Sequence, residues 1–239
     1  MRIQGEQRKS PIANGIDRSA YDVLSSVPYF CALDEATLDA VVQVAVRREY
    51  KADEIVFLEG EPCAGLHVVA EGWFKAVRMS PEGREQALRF VGPGEVFNEV
   101  GVFASARNPA TVVALEAGTV WLIDPDTIVR LLDRHPRLGR SVVENLAQRV
   151  LHLASLAEDL SLRTVEARLA RLLLDRAEEG MLRRERWATQ AEMAARLGTV
   201  LDVLNRALQQ LVSEGLIEVE RHQIRILNRE GLKARAMIP

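Results

Sequence analysis

The sequence predicts an α+β protein with three parts: an N-terminal antiparallel β-roll (a double-stranded β-helix, or jelly roll), a long dimerisation helix and a C-terminal winged helix-turn-helix. Three observations support this fold class. Short apolar runs alternate with Gly and Pro turns, a seam of apolar residues with helical spacing follows, and two capped helices with an alternating hairpin come near the end. The expected domains are a flexible tail (1–20), the roll (21–135), the long helix (136–160) and the C-terminal domain (161–239).

Composition fits a globular protein. Hydrophobic residues make up 48% of the 239 residues and charged residues 27%, which suffices to fill a core. The N-terminus has no apolar stretch of the signal-peptide kind, and no run approaches the roughly 18 apolar residues of a membrane span. We therefore expect a soluble, cytoplasmic protein without a membrane partner.

The net charge of −3 is distributed unevenly along the chain. Residues 161–239 carry 14 Lys and Arg against 11 Asp and Glu, whereas residues 1–160 carry 17 against 23. A mildly basic C-terminal part joined to an acidic first part is typical of a nucleic-acid reader fused to a module that does not bind nucleic acid.

Two short helices and a series of strands are expected in the first domain. Helical spacing begins at Tyr21 and returns around Leu38, where Asp34 stands in position to cap the second helix. From Arg47 to Pro125, short apolar runs are separated by turns such as EGEP, SPEG and GPGE. Strands of this length and spacing form an antiparallel barrel or sandwich.

An apolar seam runs along the long helix that follows the roll. Its residues are spaced alternately by three and four positions and are flanked by charges, which is typical of a helix that pairs with a second copy. Packing against the chain's own core is the alternative interpretation. The seam comprises Val143, Leu146, Val150, Leu153, Ala157 and Leu160.

The C-terminal segment has the start and stop signals of two consecutive helices. Thr189 is expected to cap the first, with Glu192 completing a capping box, and Gly198 ends it after barely two turns. Thr199 is expected to cap the second helix, which has one apolar face. This arrangement predicts a helix-turn-helix.

Alternating residues follow the helix pair at 216–220 and 223–227, around a turn at Arg221 and His222. They predict the β-hairpin wing of a winged helix-turn-helix. The alternative is a three-helix domain used for protein contacts.

These features together resemble the Crp/Fnr family of transcription regulators. The resemblance covers about residues 21–230 and rests on three motifs, in the order LDEATLDAVVQVAVRREYKADEIVFLEGEP, GPGEVFNEVGVF with NPATVVALE, and TQAEMAARLGT with NRALQQLVSEGLI. It implies a homodimer that binds a palindromic site on double-stranded DNA and a roll of the cyclic-nucleotide-binding type that senses a small effector. By analogy it also implies a contact between the SPEG turn (80–83) and RNA polymerase.

The resemblance implies that the second helix of the pair reads base edges. Asp202 matches the family's Glu and can accept a hydrogen bond from a cytosine amino group. Arg206 matches the family's second Arg and can donate to a guanine or a phosphate. Leu201 stands where the family usually has a polar residue, so it can contact only a thymine methyl. Asn205, next to Arg206, is also expected at the DNA. Phosphate contacts are expected from Thr189, Gln190 and Thr199.

The family's nucleotide pocket is present with departures. Glu99 matches the ribose-binding Glu, but Asn98 stands where the family has Gly. Arg107 lies one residue too early to match the phosphate-binding Arg, and Pro109 removes a backbone N–H donor. On the long helix, two apolar residues replace the hydroxyls that hold the purine. These departures argue against cyclic AMP and leave a different small effector, a haem or no ligand. The expected pocket residues are Asn98, Glu99, Val100, Arg107, Asn108, Ala110, Leu153 and Ala154.

Residue types also limit the cofactor. Cys31 and Cys63 are too few for the four thiolates of an iron–sulfur cluster. A haem needs an axial histidine, and for both candidates, His67 and His152, an ordinary structural or solvated histidine is the favoured interpretation. The cofactor therefore stays unassigned.

Other functions are weighed against the regulator. The sequence contains no HExxH, GxSxG, P-loop or Rossmann motif, so an enzyme is not expected. A regulatory nucleotide-binding module without DNA binding is disfavoured by the capped helix pair and the wing. A constitutive DNA binder with a vestigial pocket stays open.

Overall fold

The computed structural model describes residues 18–81, 83, 85–105, 107–183 and 188–237. The first helix there is α1 (Arg18–Ser26), so the last three residues of the predicted tail are helical, and the rest of that tail lies outside the described residues. Ala20 is fully buried together with Leu24 and Val27. Residues spaced by three and four positions share one helix face, which explains why α1 packs rather than extends into solvent.

The roll is built from two four-stranded antiparallel sheets, as predicted. Its strands are β1 (Val46–Tyr50), β2 (Ile55–Phe57), β3 (Leu66–Glu71), β4 (Phe74–Met79), β5 (Glu85–Val91), β6 (Val96–Phe97), β7 (Thr111–Ala114) and β8 (Gly118–Ile123). One sheet has the order β1-β8-β3-β6 and the other the order β2-β7-β4-β5. A π-helical segment (Gly101–Ser105) follows β6.

Alternation along the strands separates two apolar cores. On β3, Val69 belongs to the core between the two sheets, whereas Val68 belongs to the core under the helices, as the two-residue period of a strand requires. The return from β3 to β4 depends on Gly72, which has φ +81° and would place a Cβ only 2.8 Å from the carbonyl oxygen of Ala117. Only glycine fits there.

Helices cover the first sheet. They are α1, α2 (Glu35–Val44), α3 (Pro125–Arg134) and α4 (Pro136–Leu162). Asp34 caps α2, since its Oδ1 accepts a hydrogen bond from the backbone N–H of Thr37 at 2.9 Å, and this predicted cap is confirmed. α4 has 27 residues and ends two residues later than predicted. Within the described residues, no helix combines the length and the apolar character that crossing a bilayer requires.

The C-terminal domain packs helices against a small sheet. Its elements are α5 (Val165–Arg176), β9 (Met181–Arg183), α6 (Gln190–Arg196), α7 (Leu201–Ser213), β10 (Ile217–Val219), β11 (Gln223–Ile226) and α8 (Arg229–Ala236). The wing strands β10 and β11 pair as predicted. The sequence analysis missed β9, which pairs with β11, and α8, because β9 lies in a charged stretch and α8 buries only Leu232 and Ala236.

Candidate nucleic-acid interface and sensor pocket

The turn between α6 and α7 has the geometry of a helix-turn-helix. The Thr189 hydroxyl caps α6 by accepting a hydrogen bond from the N–H of Glu192 at 3.2 Å. At the other end, Gly198 has φ +63°, and its N–H bonds the Ala195 carbonyl at 3.3 Å while the Thr199 N–H bonds the Ala194 carbonyl at 3.0 Å. This pair of bonds is a Schellman motif, which closes α6 and redirects the chain.

Two predicted caps need correction. Thr199 does not cap α7, because the helix begins two residues later, after Val200, and has no side-chain cap; the Thr199 N–H instead closes α6. Glu192 does not complete a capping box, because its carboxylate lies 3.0 Å from the Nζ of Lys75 in the roll. For Glu192, a tertiary partner replaces the local one.

α7 presents the predicted base-contacting side chains to solvent. Leu201, Asp202 and Arg206 are exposed and Asn205 is half-buried. The opposite face packs into the domain core through Leu204, Ala207, Leu208 and Leu211. Thr189 is exposed and Gln190 is half-buried at the start of α6, and Thr199 is half-buried in the turn before α7.

The predicted dimer seam lies largely on the surface of the single chain. Val143 is 66% exposed, Val150 65% and Leu153 48%, and Ala157 and Leu160 are also exposed. Leu146 is the exception, since it packs partly against the core under the helices. A helix with this much uncovered apolar surface is typical of one that pairs with a partner.

Aromatic rings fill the space between the two sheets of the roll. His67 stacks on Phe97 with ring centroids 4.7 Å apart, and Phe57 contacts both rings. Phe74 packs against Phe97 from the other side. Phe74 and Phe97 belong to the buried core between the two sheets, and Phe57 packs against that core.

His67 is a buried, neutral histidine. It is 3% exposed, and its Nδ1 lies 3.1 Å from the carbonyl oxygen of Gly65. Burial lowers its pKa to about 4 because desolvation disfavours the charged ring. These contacts are those of a structural histidine. His152 also has a lowered pKa from burial, opposed by a hydrogen bond to the Leu88 backbone.

Glu99 is held by an ion pair. Its side chain is 1% exposed, and Arg149 on α4 donates from Nη1 to Oε2 at 2.7 Å. The Tyr29 hydroxyl donates to Oε1 at 3.4 Å. Burial raises the pKa of Glu99, and the charge of Arg149 opposes that shift. Each carboxylate oxygen of Glu99 thus has a partner within the chain, and the ribose contact of Glu99 stays a prediction.

An asparagine pair stands where a phosphate would be bound. Asn98 adopts φ +72°, and its Nδ2 donates to Asn108 Oδ1 at 2.9 Å. Asn108 in turn donates to the Leu58 carbonyl at 3.2 Å. Arg107 is exposed and donates to the Gly60 carbonyl at 2.7 Å, so it is not aimed at the interior. The segment therefore forms its own hydrogen-bonded turn.

The other predicted pocket residues do not converge on one site. Ala110 is buried in the roll, and Val100 is exposed. Leu153 and Ala154 are exposed on α4, on a side that does not line the cavity between α4 and β5. These positions leave the effector of the roll unassigned.

The roll and the DNA-binding domain contact each other directly. Lys75 Nζ lies 2.7 Å from Glu85 and 3.0 Å from Glu192 on α6, with all three side chains less than a third exposed. Gln86 Nε2 donates to the Ala195 carbonyl at 3.3 Å. No sequence signal indicated these contacts, because the partners are more than 100 residues apart along the chain.

Comparisons with known proteins agree with this architecture. Residues 47–135 match the cyclic nucleotide-binding domain and residues 167–235 match the Crp-like helix-turn-helix domain. The chain is 26% identical over 221 residues to a CRP-like cAMP-activated global transcriptional regulator of Mycobacterium tuberculosis (strain CDC 1551 / Oshkosh), covering 90% of this chain and 99% of the relative. It is 28% identical over 215 residues to the probable transcriptional regulator flp of Lacticaseibacillus casei, covering 90% and 98%.

A solved structure has the same fold. FixK2 from Bradyrhizobium japonicum superposes with a TM-score of 0.71 at 24% identity, over 82% of this chain and 99% of that chain. The relatives are regulators of transcription rather than enzymes. With an antiparallel roll, a long helix and a winged helix-turn-helix in this order, the chain belongs to the Crp/Fnr family of transcription regulators.

Proposed function

We propose that this regulator binds DNA as a homodimer, reads an inverted-repeat operator with α7, and does not respond to cyclic AMP. The observation that carries the proposal is the outward face of α7, where Leu201, Asp202 and Arg206 are exposed above a fully packed inner face. A helix in this position of a helix-turn-helix lies in the major groove, with its N-terminal residues at base edges.

The side chains define which edges α7 can read. Arg206 donates to guanine or to a phosphate, and Asp202 accepts from a cytosine amino group. Leu201 can contact only the methyl group of thymine. The two helix ends supply hydroxyl and N–H groups for the phosphates. The operator should therefore differ from that of relatives with a polar residue at the start of the helix.

The uncovered seam on α4 supports the homodimer. Two copies that pair through Val143, Val150 and Leu153 would be related by a two-fold axis, and a two-fold dimer reads a palindrome. The recognition helices then enter successive major grooves roughly 34 Å apart. By analogy with the family, the turn between β4 and β5, closed by a 2.9 Å bond from the Gly83 N–H to the Ser80 carbonyl, contacts RNA polymerase.

The interior of the roll supports the absence of a cyclic AMP response. Glu99 and the amide nitrogen of Asn98 already have partners in Arg149 and Asn108, and the aromatic cluster is packed inside the roll. A nucleotide that bound these two groups would have to displace those partners.

The experiment selects duplexes from a random library with the purified protein and measures the affinity of the selected operator by fluorescence anisotropy. We expect inverted repeats, and we expect Val150→Asp to give a monomer whose operator affinity falls by about 100-fold, because a single half-site loses the linked second contact. Val129→Asp is the matched control, since Val129 is 45% exposed on α3, away from the seam. Subunit count is measured by light scattering.

Two results would overturn the proposal. One is that Val150→Asp stays dimeric with unchanged operator affinity. The other is that cyclic AMP raises the operator affinity of the unmodified protein by about tenfold or more, a coupling of the usual allosteric size.

A further inference from the structure

A cavity of about 490 Å³ lies where the roll, α4 and the DNA-binding domain meet. One wall is β5 at Ala87–Phe90, a second is the side of α4 that faces the roll, and the third comes from α5 and the end of α6. Its volume is in the range of small-molecule sites. Its lining does not include Asn98, Glu99 or Arg107, the residues that the resemblance assigns to a nucleotide.

The walls of this cavity are strongly basic. Three carboxylates, those of Glu95, Asp159 and Asp175, face it. Six arginines line it: Arg89, Arg149, Arg168, Arg171, Arg176 and Arg196. Arginine is the side chain best suited to bind carboxylate and phosphate groups, because its planar guanidinium donates two parallel hydrogen bonds.

Some of these arginines already have carboxylate partners. Arg89 lies 3.1 Å from Glu95, and Arg171 lies 2.8 Å from Asp159. Arg149 is paired with Glu99, outside the cavity wall. The acids within and behind the wall thus neutralise only part of the positive charge.

Arg168 and Arg196 lack a close carboxylate partner. In the part of the chain that the structure describes, neither forms an ion pair with a carboxylate. The Nε of Arg168 is buried without a hydrogen-bond partner there. Arg196 packs over Phe90, with Cζ 5.4 Å from the ring centroid. Burial, and next the charge of Arg176, lower the pKa of Arg196 to about 10, and the charge of Asp175 opposes that shift only in part.

We propose that this cavity binds a small multivalent anion, a phosphate ester or a polycarboxylate, which bridges the roll and the DNA-binding domain. Arg196 belongs to α6 and rests on β5, so an anion held there contacts both domains at once. Anion binding stabilises the arrangement in which α6 is docked on β5. If the docked and undocked arrangements differ in DNA affinity, anion binding changes DNA affinity by the same mechanism. The coupling rests on the proposed function, whereas anion binding does not.

Dimerisation through α4 leaves this cavity accessible. The helix turns Gln148, His152, Ser155 and Asp159 towards the cavity, and these positions alternate with those of the exposed apolar seam. Leu160 is the one seam residue that also lines the cavity. The two faces of α4 can therefore serve a partner chain and a ligand at the same time.

The test is calorimetric titration of the full chain, without DNA and in chloride buffer, with inorganic pyrophosphate and separately with citrate. We expect one of the two anions to bind, and we expect Arg196→Met and Arg168→Met each to weaken binding about tenfold or more, since a charge-assisted hydrogen bond is lost. Arg137→Met is the matched control, because Arg137 is exposed on α4 and does not line the cavity. Circular dichroism verifies that each variant is folded.

The outcomes separate this inference from the proposed function. Binding of pyrophosphate alone assigns a phosphate ligand, and binding of citrate alone assigns a polycarboxylate. The inference is overturned if neither anion binds, or if Arg196→Met and Arg168→Met bind as well as Arg137→Met. Operator affinity is measured on the same samples, so a loss of anion binding with intact DNA binding affects neither the dimer nor the operator proposal.

Discussion

The C-terminal domain and the roll depart from the pattern of their family in opposite ways. In the C-terminal domain, the helix-turn-helix geometry is kept and the exposed residues at the start of α7 are changed, with Leu201 among them. In the roll, Asn98 stands where the resemblance expects Gly, and Asn98 and Glu99 are buried and held by partners within the chain. One domain thus differs at exposed side chains and the other at buried ones.

The difference teaches where each kind of change is tolerated. A solvent-facing residue on α7 has few neighbours, so its replacement changes recognition at little cost to stability. A polar group inside the roll needs partners, and the structure supplies Arg149 for Glu99 and Asn108 for the amide nitrogen of Asn98. Substitutions in the roll should therefore alter folding, and substitutions on α7 should alter DNA binding.

The largest effect is expected from Arg149→Met, which leaves Glu99 buried without its cation. We expect the free energy of unfolding to fall by about 3–5 kcal/mol, the usual cost of removing one partner of a buried ion pair. Urea denaturation at a fixed protein concentration measures it. Adding Glu99→Gln should recover much of the loss, and Arg137→Met serves as the surface control. A loss no larger than that of the control would break the comparison.

A smaller effect is expected from the pH dependence of His67. Its folded-state pKa is about 4 against an ordinary value of 6.5, so the unfolded chain binds a proton first as the pH falls. The free energy of unfolding is therefore unaffected by His67 above pH 6.5. It falls progressively towards pH 4, by roughly 3 kcal/mol in total at 1.36 kcal/mol per pH unit.

Urea denaturation at several pH values across this interval measures the effect. The variant His67→Phe keeps an aromatic ring beside Phe97 and has no titratable group, so the slope of unfolding free energy against pH should be smaller. Parallel pH profiles for the variant and the unmodified protein would show that another group causes the loss.

Local sequence signals predicted most of the secondary-structure elements. The Gly and Pro turns predicted the strands of the roll, Asp34 predicted the start of α2, and the alternation after Gly215 predicted the wing. Each of these signals lies within a few residues of the structure that it specifies, and this explains why sequence alone sufficed.

Contacts between distant residues could not be predicted in this way. Glu99 and Arg149 are 50 residues apart, and Glu192 and Lys75 are 117 apart. The resemblance implied a ribose contact for Glu99 and the local pattern predicted a capping box for Glu192, and neither signal indicated a distant ion-pair partner. Thr199 shows a limit at short range, since its N–H belongs to the Schellman motif at Gly198 and α7 begins only after Val200.

The smallest effect on stability, and the sharpest on recognition, is expected from Arg206→Ala. Its side chain is exposed, so the free energy of unfolding should change by less than about 0.5 kcal/mol. Operator affinity should fall by about 1–3 kcal/mol, and its dependence on salt should weaken by about one phosphate contact if Arg206 binds the backbone. Anisotropy titrations at several salt concentrations, with Arg137→Ala as control, measure both quantities.

A guanine contact of Arg206 predicts lost discrimination at one base pair with an unchanged salt slope, so a base contact and a phosphate contact can be told apart. Equal operator affinity for both variants would remove Arg206 from the interface. The contrast between a DNA-recognising surface on α7 and a structural core in the roll would then have to rest on other residues of α7.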